Sequence, residues 1–405
     1  MNALEKLLAA DARRQPDLAL IESIRARFPV EREIDRVLTR KMKLRSGPPY
    51  TPVPLATLVS STERLIQARL GAAIEIVDAR WLSGGASKLQ MVFDVRRPPQ
   101  TTLETMVLRM EPAASVTESS RRREFQVIRA VANILPVPSA HWLDADAEFL
   151  PYPAIVYSFL RGVAKPSHDA DKVSGLGQNY GPELRRKLAP QFVEMLARLH
   201  NVEVNTLEGL EDFERPVVGS NASVIKQVNT YRRIWEEDRL EAIPFMEVVY
   251  KWLVKNAPPL DQISIVHGDY RSGNFLFDES SGEITAWLDW EGAVLGDRHQ
   301  DLTYANQYTF QHLAEDGRTP LASGMLPANE LFAAYARISG RVVDPKRINY
   351  YEVFNRYLIA VLGLAAAPRA AAAAKSHQDV LLNFIGGIGY PSVENLRTYF
   401  KEVVA

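Results

Sequence analysis

The chain has 405 residues, 46% of them hydrophobic and 24% charged, an ordinary globular composition with room for two lobes or domains. Its 48 basic and 49 acidic residues leave a net charge of −1, which gives no reason to expect nucleic acid or an anionic membrane as a partner. The lack of cysteine excludes disulfides, thiolate catalysis, zinc–thiolate sites and iron–sulfur clusters, and no stretch approaches the roughly twenty apolar residues that span a bilayer.

In chain order, residues 1 to about 45 read as two helical segments. Leu4, Leu7, Leu8 and Ala12 share one face of the first, and Ile21, Ile24 and Phe28 one face of the second. The first apolar run is too short and too interrupted by acids for a signal or transit peptide, so the expected location is cytoplasmic. A Pro-rich linker over 45–54 leads into a helix over 55–70 that carries Leu58, Leu65 and Leu70. Residues 1–54 therefore form an extension, packed on the body or on another subunit.

From Ile74 the apolar period shifts toward two. Strands are expected over 74–82, 89–95 and 105–110, a helix over 118–134, and a further strand over 154–160. The chain then turns helical, over 182–200, 220–240, 244–256, 328–338, 346–365 and 391–403, with 263–291 as the β exception. The pattern predicts an α+β, bilobal, protein-kinase-like fold: an antiparallel-sheet N-lobe with one helix over 55–160, and a mostly helical C-lobe over 161–405.

The β exception contains His267-Gly-Asp-Tyr-Arg-Ser-Gly-Asn274, and Asp289 follows fifteen residues after the Asn in Leu-Asp-Trp-Glu. Gly, Asp, Ser and Asn all favour turns, so the first half alone reads as a loop. With Asp289 in order after the next apolar run, the spacing is that of a site that holds Mg·ATP and hands its terminal phosphoryl group to a hydroxyl. Asp269 is the expected base, and Asn274 and Asp289 the expected magnesium ligands, through hard oxygen donors.

Other positions complete such a site. Ser83, Gly84, Gly85, Ala86 and Ser87 form a tight turn on the first hairpin, where backbone N–H groups can hold phosphate. Arg109 stands on the third strand, where kinases carry a lysine. Glu124 shares an apolar helix face with Ile128, Val131 and Leu135, a costly place for a carboxylate unless Arg109 pairs with it. Ser158, Phe159 and Leu160 fall where the lobes join and would offer backbone groups to adenine. Arg121-Arg122-Arg123 could draw a phosphorylated or CoA-bearing substrate, although a triple charge at a helix start is usually a solvated face. His267 is expected to orient the loop, His200 to be structural, and Asp301 to brace the loop or cap a helix.

These segments together resemble the aminoglycoside phosphotransferase family, and within it the kinase-like domain attached to certain acyl-CoA dehydrogenases. Leu82–Ser87, Val107-Leu-Arg109, Glu124–Ala130, Leu196–His200, His267–Asn274, Leu288–Glu291 and Gly296–Asp301 carry the resemblance, over roughly 75–305. It implies a kinase-like fold, ATP with magnesium, and transfer to a small-molecule hydroxyl; an Arg at position 109 looks normal in that branch. The acids of 302–405 are scattered among Tyr304, Tyr308, Phe310, Tyr350, Tyr351 and Phe354, which points to an apolar or aromatic acceptor rather than a polycation. A nucleotide-binding, pseudokinase-like interaction module is the alternative, disfavoured by the intact Asp269, Asn274 and Asp289.

Overall fold

A computed structural model of the protein describes residues 11–82, 88–99, 101–169, 173, 175–375 and 379–404. The strand-rich lobe is one antiparallel sheet of β1 (Glu75–Trp81), β2 (Leu89–Arg96), β3 (Leu103–Met110), β4 (Ala140–Asp144) and β5 (Ala154–Ser158), in the order β1-β2-β3-β5-β4. Met91 lies opposite Leu108, which lies opposite Val156, so these apolar side chains share one face. Leu58, Leu65 and Ile66 of α3 (Leu55–Leu70) cover that face. Arg109, between Leu108 and Met110, points to the other face by strand alternation. There it meets α4 (Arg121–Val131), which Ser120 caps by accepting from Arg123 N–H.

Strand β4 escapes sequence reading because it ends in a buried acid. The Asp144 carboxylate accepts the backbone N–H groups of Glu148, Phe149 and Leu150 at 2.8, 3.0 and 2.9 Å, which makes its burial tolerable.

The helical lobe contains α5 (Gly181–His200), α6 (Ala222–Asp238) and α7 (Pro244–Lys255). The short strands β6 (Ser264–Val266), β7 (Phe275–Asp278), β8 (Glu283–Trp287) and β9 (Val294–Gly296) follow, and then α8 (His299–Tyr304). A small sheet of β10 (His312–Leu313), β11 (Pro320–Ala322) and β12 (Leu326–Pro327) was not anticipated. The chain continues through α9 (Ala328–Ser339), α10 (Pro345–Val361), α11 (Ala367–Ala372), α12 (Asp379–Gly387) and α13 (Gly389–Val404). An aromatic core anchors the β6–β9 region: Tyr270 stacks on Trp287 at 3.9 Å and donates from its hydroxyl to Phe192 O at 2.6 Å.

Two helices precede this body, α1 (Leu18–Arg27) and α2 (Arg32–Leu44), parted at Pro29. Ile21, Ile24 and Phe28 are buried as expected, whereas the expected helix through Leu4, Leu7 and Leu8 lies outside the described residues. The arm packs on the body of its own chain, chiefly along α6, where Asn229 donates to Pro29 O at 2.9 Å.

Candidate active site

The loop between β6 and β7 is held from below by Asp301 at the start of α8. Its carboxylate accepts from His267 N–H at 2.7 Å and from Gly268 N–H at 2.9 Å, and His200 Nε2 lies 3.1 Å away. Gly268 sits at φ +81, and a Cβ there would come within 2.2 Å of Gly292 O, so only glycine fits. His267 is fully buried; its Nδ1 accepts from Asp269 N–H at 3.2 Å and its Nε2 bonds to Leu288 O at 2.9 Å. That pattern places the proton on Nε2 and ties the loop to the strand end that carries Asp289.

Asp269 projects from this braced loop. Asn274 Nδ2 donates to its Oδ2 at 2.6 Å and to its carbonyl at 2.8 Å, and Arg271 Nε donates to its Oδ1 at 2.7 Å. Burial pushes the Asp269 carboxyl above the usual carboxylate range; Arg271 opposes this and the facing Asp289 adds to it. Asp289 occupies the left-handed backbone region at φ +66. Burial works against its ionisation too, but Arg109, then Arg271 and Lys88, outweigh it and hold the carboxyl at about 2. The two acids are thus driven apart in proton affinity.

Arg109 arrives from the other lobe. Its Nη1 lies 3.2 Å from Glu124 Oε1, and its Nη2 donates to Glu291 at 2.9 Å and to Asp289. Behind it stands a buried charge cluster that sequence reading left out. Lys88 Nζ donates to Glu111 at 2.8 Å and lies 3.3 Å from Glu291, while Arg121 reaches Glu111 at 3.2 Å, Glu291 at 3.1 Å and also Glu124. The available signal was charge placed against apolar alternation: Lys88 abuts a strand whose next residue is buried, and Glu291 follows the buried Trp290.

The arginine triplet is a correction. Arg121 and Arg123 are buried, and Arg122 pairs with Asp146, so neither reading as a solvated face nor as a substrate patch holds. The expected Ser83–Ser87 turn lies outside the described residues. Ser158 ends β5, and its N–H and that of Phe159 donate to Ser139 O and Thr105 O, each at 3.0 Å. Of the aromatics expected at the acceptor side, Tyr304, Phe310, Tyr350, Tyr351 and Phe354 all belong to one buried core cluster and Tyr308 is exposed. Phe310 lies under the Arg271 guanidinium at 4.7 Å, and Tyr304 packs on Phe310.

A sheet lobe that delivers a buried Arg–Glu pair to a helical lobe carrying an Asp–Asn loop and a second Asp defines a bilobal, kinase-like phosphotransferase. Residues 78–340 match the phosphotransferase enzyme family, and the chain belongs to it. Acyl-CoA dehydrogenase family member 10 of Mus musculus is 28% identical over 204 residues, which make up 49% of this chain and 18% of that protein. Family member 11 of Homo sapiens is 28% identical over 250 residues, 60% of this chain and 30% of that protein. The chain therefore spans less than a third of the length of these two relatives. Among solved structures, a protein of Ralstonia eutropha whose description assigns it to the aminoglycoside phosphotransferases superposes with a TM-score of 0.60. It is 23% identical, and the match covers 85% of this chain and 98% of that one. An ethanolamine kinase of Plasmodium vivax gives 0.56 at 13% identity, over 92% and 98%. At such identities the likeness establishes the fold. Among the described residues no helix is long and apolar enough to cross a membrane.

Proposed function

We propose that the protein moves the γ-phosphoryl group of Mg·ATP to a hydroxyl of a small molecule, with Asp269 as the base. The observation that carries this reading is the meeting, across the lobe junction, of Asp289 with Arg109 and its partner Glu124, beside the Asp269–Asn274 pair. The residue boundaries that fit it are 1–54 for the extension, 55–160 for the N-lobe and 161–405 for the C-lobe.

The donor set suits magnesium. Asn274 spends its NH₂ group on Asp269, which leaves Oδ1 as a hard oxygen, and Asp289 is ionised at any ordinary pH. Asn274 and Asp289 would hold it, and when bound it would neutralise charge on the phosphate oxygens.

Asp269 accepts the proton of the acceptor hydroxyl as that oxygen attacks the γ-phosphorus and the bond to the ADP oxygen breaks. Arg109, backed by Glu124, steadies the triphosphate, together with backbone N–H groups of residues 83–87. Adenine meets the 158–160 segment through carbonyls and Leu160, since two of its N–H groups are engaged elsewhere. Catalysis here is positioning and electrostatics. Arg271 beside the base disfavours a polycationic acceptor.

Asp269→Asn should remove turnover across a library of hydroxyl compounds by at least about 100-fold while Mg·ATP still binds by calorimetry. Undiminished transfer by the variant would end the base assignment. Binding without turnover in the unaltered protein would instead mark a nucleotide-binding module.

A further inference from the structure

The family match begins at residue 78, so α1 and α2 fall outside it. Their side chains are nonetheless built into both lobes. Along α6 of the helical lobe, Lys41 lies 2.8 Å from Glu237 and 3.0 Å from Asp238, and Arg45 also pairs with Asp238. Arg233 pairs with Asp35 and donates to Thr39 at 2.9 Å. Toward the other end of α2, Glu33 accepts from the hydroxyl of Ser120, the residue that caps α4. Glu31 lies 3.1 Å from Arg123 Nη1 in the first turn of α4, and Arg123 Nη2 donates to Ala293 O at 3.0 Å. Glu31, Glu33, Lys41, Arg123, Glu237 and Asp238 are all buried.

We propose that α2 is a strut that fixes α4, and hence Glu124 behind Arg109, with Glu31 and Glu33 as its positioning residues. The strut runs from a helix of the catalytic lobe to the cap of the helix that carries Glu124. It does not pass through the β5 connection between the lobes. A buried carboxylate or guanidinium stripped of its partner is costly, so α4 cannot swing away from Arg109 without breaking Glu31–Arg123 and Glu33–Ser120 together. The same first turn is held from the active-site side by Ala293 O, and Arg121 there binds Glu124 and Glu291. The arm thus closes a frame around the Arg109–Glu124 pair, and its effect on nucleotide binding rests on the reading of that pair given above.

The test uses the full chain and two readouts: affinity for Mg·ATP by calorimetry, and hydrogen exchange of α4 amides against those of α6. Glu31→Ala with Glu33→Ala should weaken Mg·ATP about tenfold and speed exchange in α4, with α6 unchanged. A merely destabilising role would speed both helices. Glu31→Gln with Glu33→Gln keeps shape and an acceptor oxygen for Ser120, and should recover most of the affinity. Ser23→Ala, on the exposed side of the arm, should leave both readouts as they are. A folded Ala pair with unaltered affinity and α4 exchange overturns the strut. Should the Ala pair fail to fold, Glu31→Ala alone decides: faster α4 exchange and weaker affinity with α6 unchanged support the strut, and no change in either overturns it. If the unaltered protein binds no Mg·ATP, the nucleotide reading fails, and α4 exchange still decides the strut.

Discussion

Asn274 grips Asp269 at two points, donating from one nitrogen to its carbonyl at 2.8 Å and to its Oδ2 at 2.6 Å. One amide therefore fixes the direction of the proposed base and, by using up its own donors, turns its oxygen into the proposed metal ligand. Position 274 would then carry two tasks at once.

Asn274→Ala should accordingly cost more than a metal ligand alone: turnover about 100-fold down or more, and weaker Mg²⁺ dependence of nucleotide binding. Asn274→Asp keeps an oxygen but sets a second carboxylate against Asp269, already pushed upward by burial and by Asp289. It should bind Mg·ATP better than the Ala variant and still turn over poorly. Equal kinetics for the two variants would separate Asn274 from the orientation of Asp269.

Glu124→Ala tests the cation frame. Arg109 keeps Asp289 and Glu291, and Arg121 keeps Glu111 and Glu291, but a buried carboxylate that two arginines share is gone. We expect a loss of about 3 kcal/mol in urea unfolding together with weaker Mg·ATP binding. Arg109→Lys should weaken binding without the same loss of stability, since an ammonium cannot span Glu124, Asp289 and Glu291 as the guanidinium fork does. Normal binding by both variants would remove Arg109–Glu124 from the nucleotide site.

Much of this was legible in the residues. Asp269, Asn274, Asp289, Arg109 and Glu124 each stand where spacing and period placed them, because each interrupts an apolar pattern that has a definite period. Lys88, Glu111, Arg121 and Glu291 were not legible as a cluster, since their partners are 10 to 203 positions apart and pairing at that range is a property of the fold. The same holds for Glu33 and Ser120, 87 positions apart. Strand β4 was missed for a local reason, a polar segment whose one buried acid is satisfied by its own turn. Tyr350, Tyr351 and Phe354 misled because an aromatic run on a helix reads alike whether it lines a cleft or fills a core.

Gly268→Ala should damage chemistry through the backbone alone. Alanine at φ +81 is strained by about 1–3 kcal/mol, and its methyl would press on Gly292 O at 2.2 Å. Relief requires the loop to leave Asp301 or the 290–292 turn to leave Arg109. The variant should lose stability in thermal melts and at least about tenfold in turnover, with the larger effect on kcat than on the KM for ATP. Wild-type kcat in Gly268→Ala would show that the bracing of this loop is not what positions Asp269.

Glu118 should give the chain a pH response outside the catalytic loop. Burial raises its carboxyl to about 7; Glu111 adds to this, while Lys41, Lys88 and the Ser115 N–H oppose it. The folded chain then keeps a proton that the unfolded chain releases near 4.5, so unfolding sheds a proton between those values and stability falls as pH rises through that window. Below pH 4.5 both states are protonated and no penalty exists; above 7 it is complete, at most about 3 kcal/mol. Glu118→Gln keeps the oxygen that accepts from Ser115 N–H and cannot ionise. It should match the wild type at pH 4 and exceed it in unfolding free energy at pH 8, the difference opening between pH 5 and 7 in urea titrations. A constant offset across that range would mean that Glu118 stays ionised in the folded chain and that Lys41 and Lys88 dominate its surroundings.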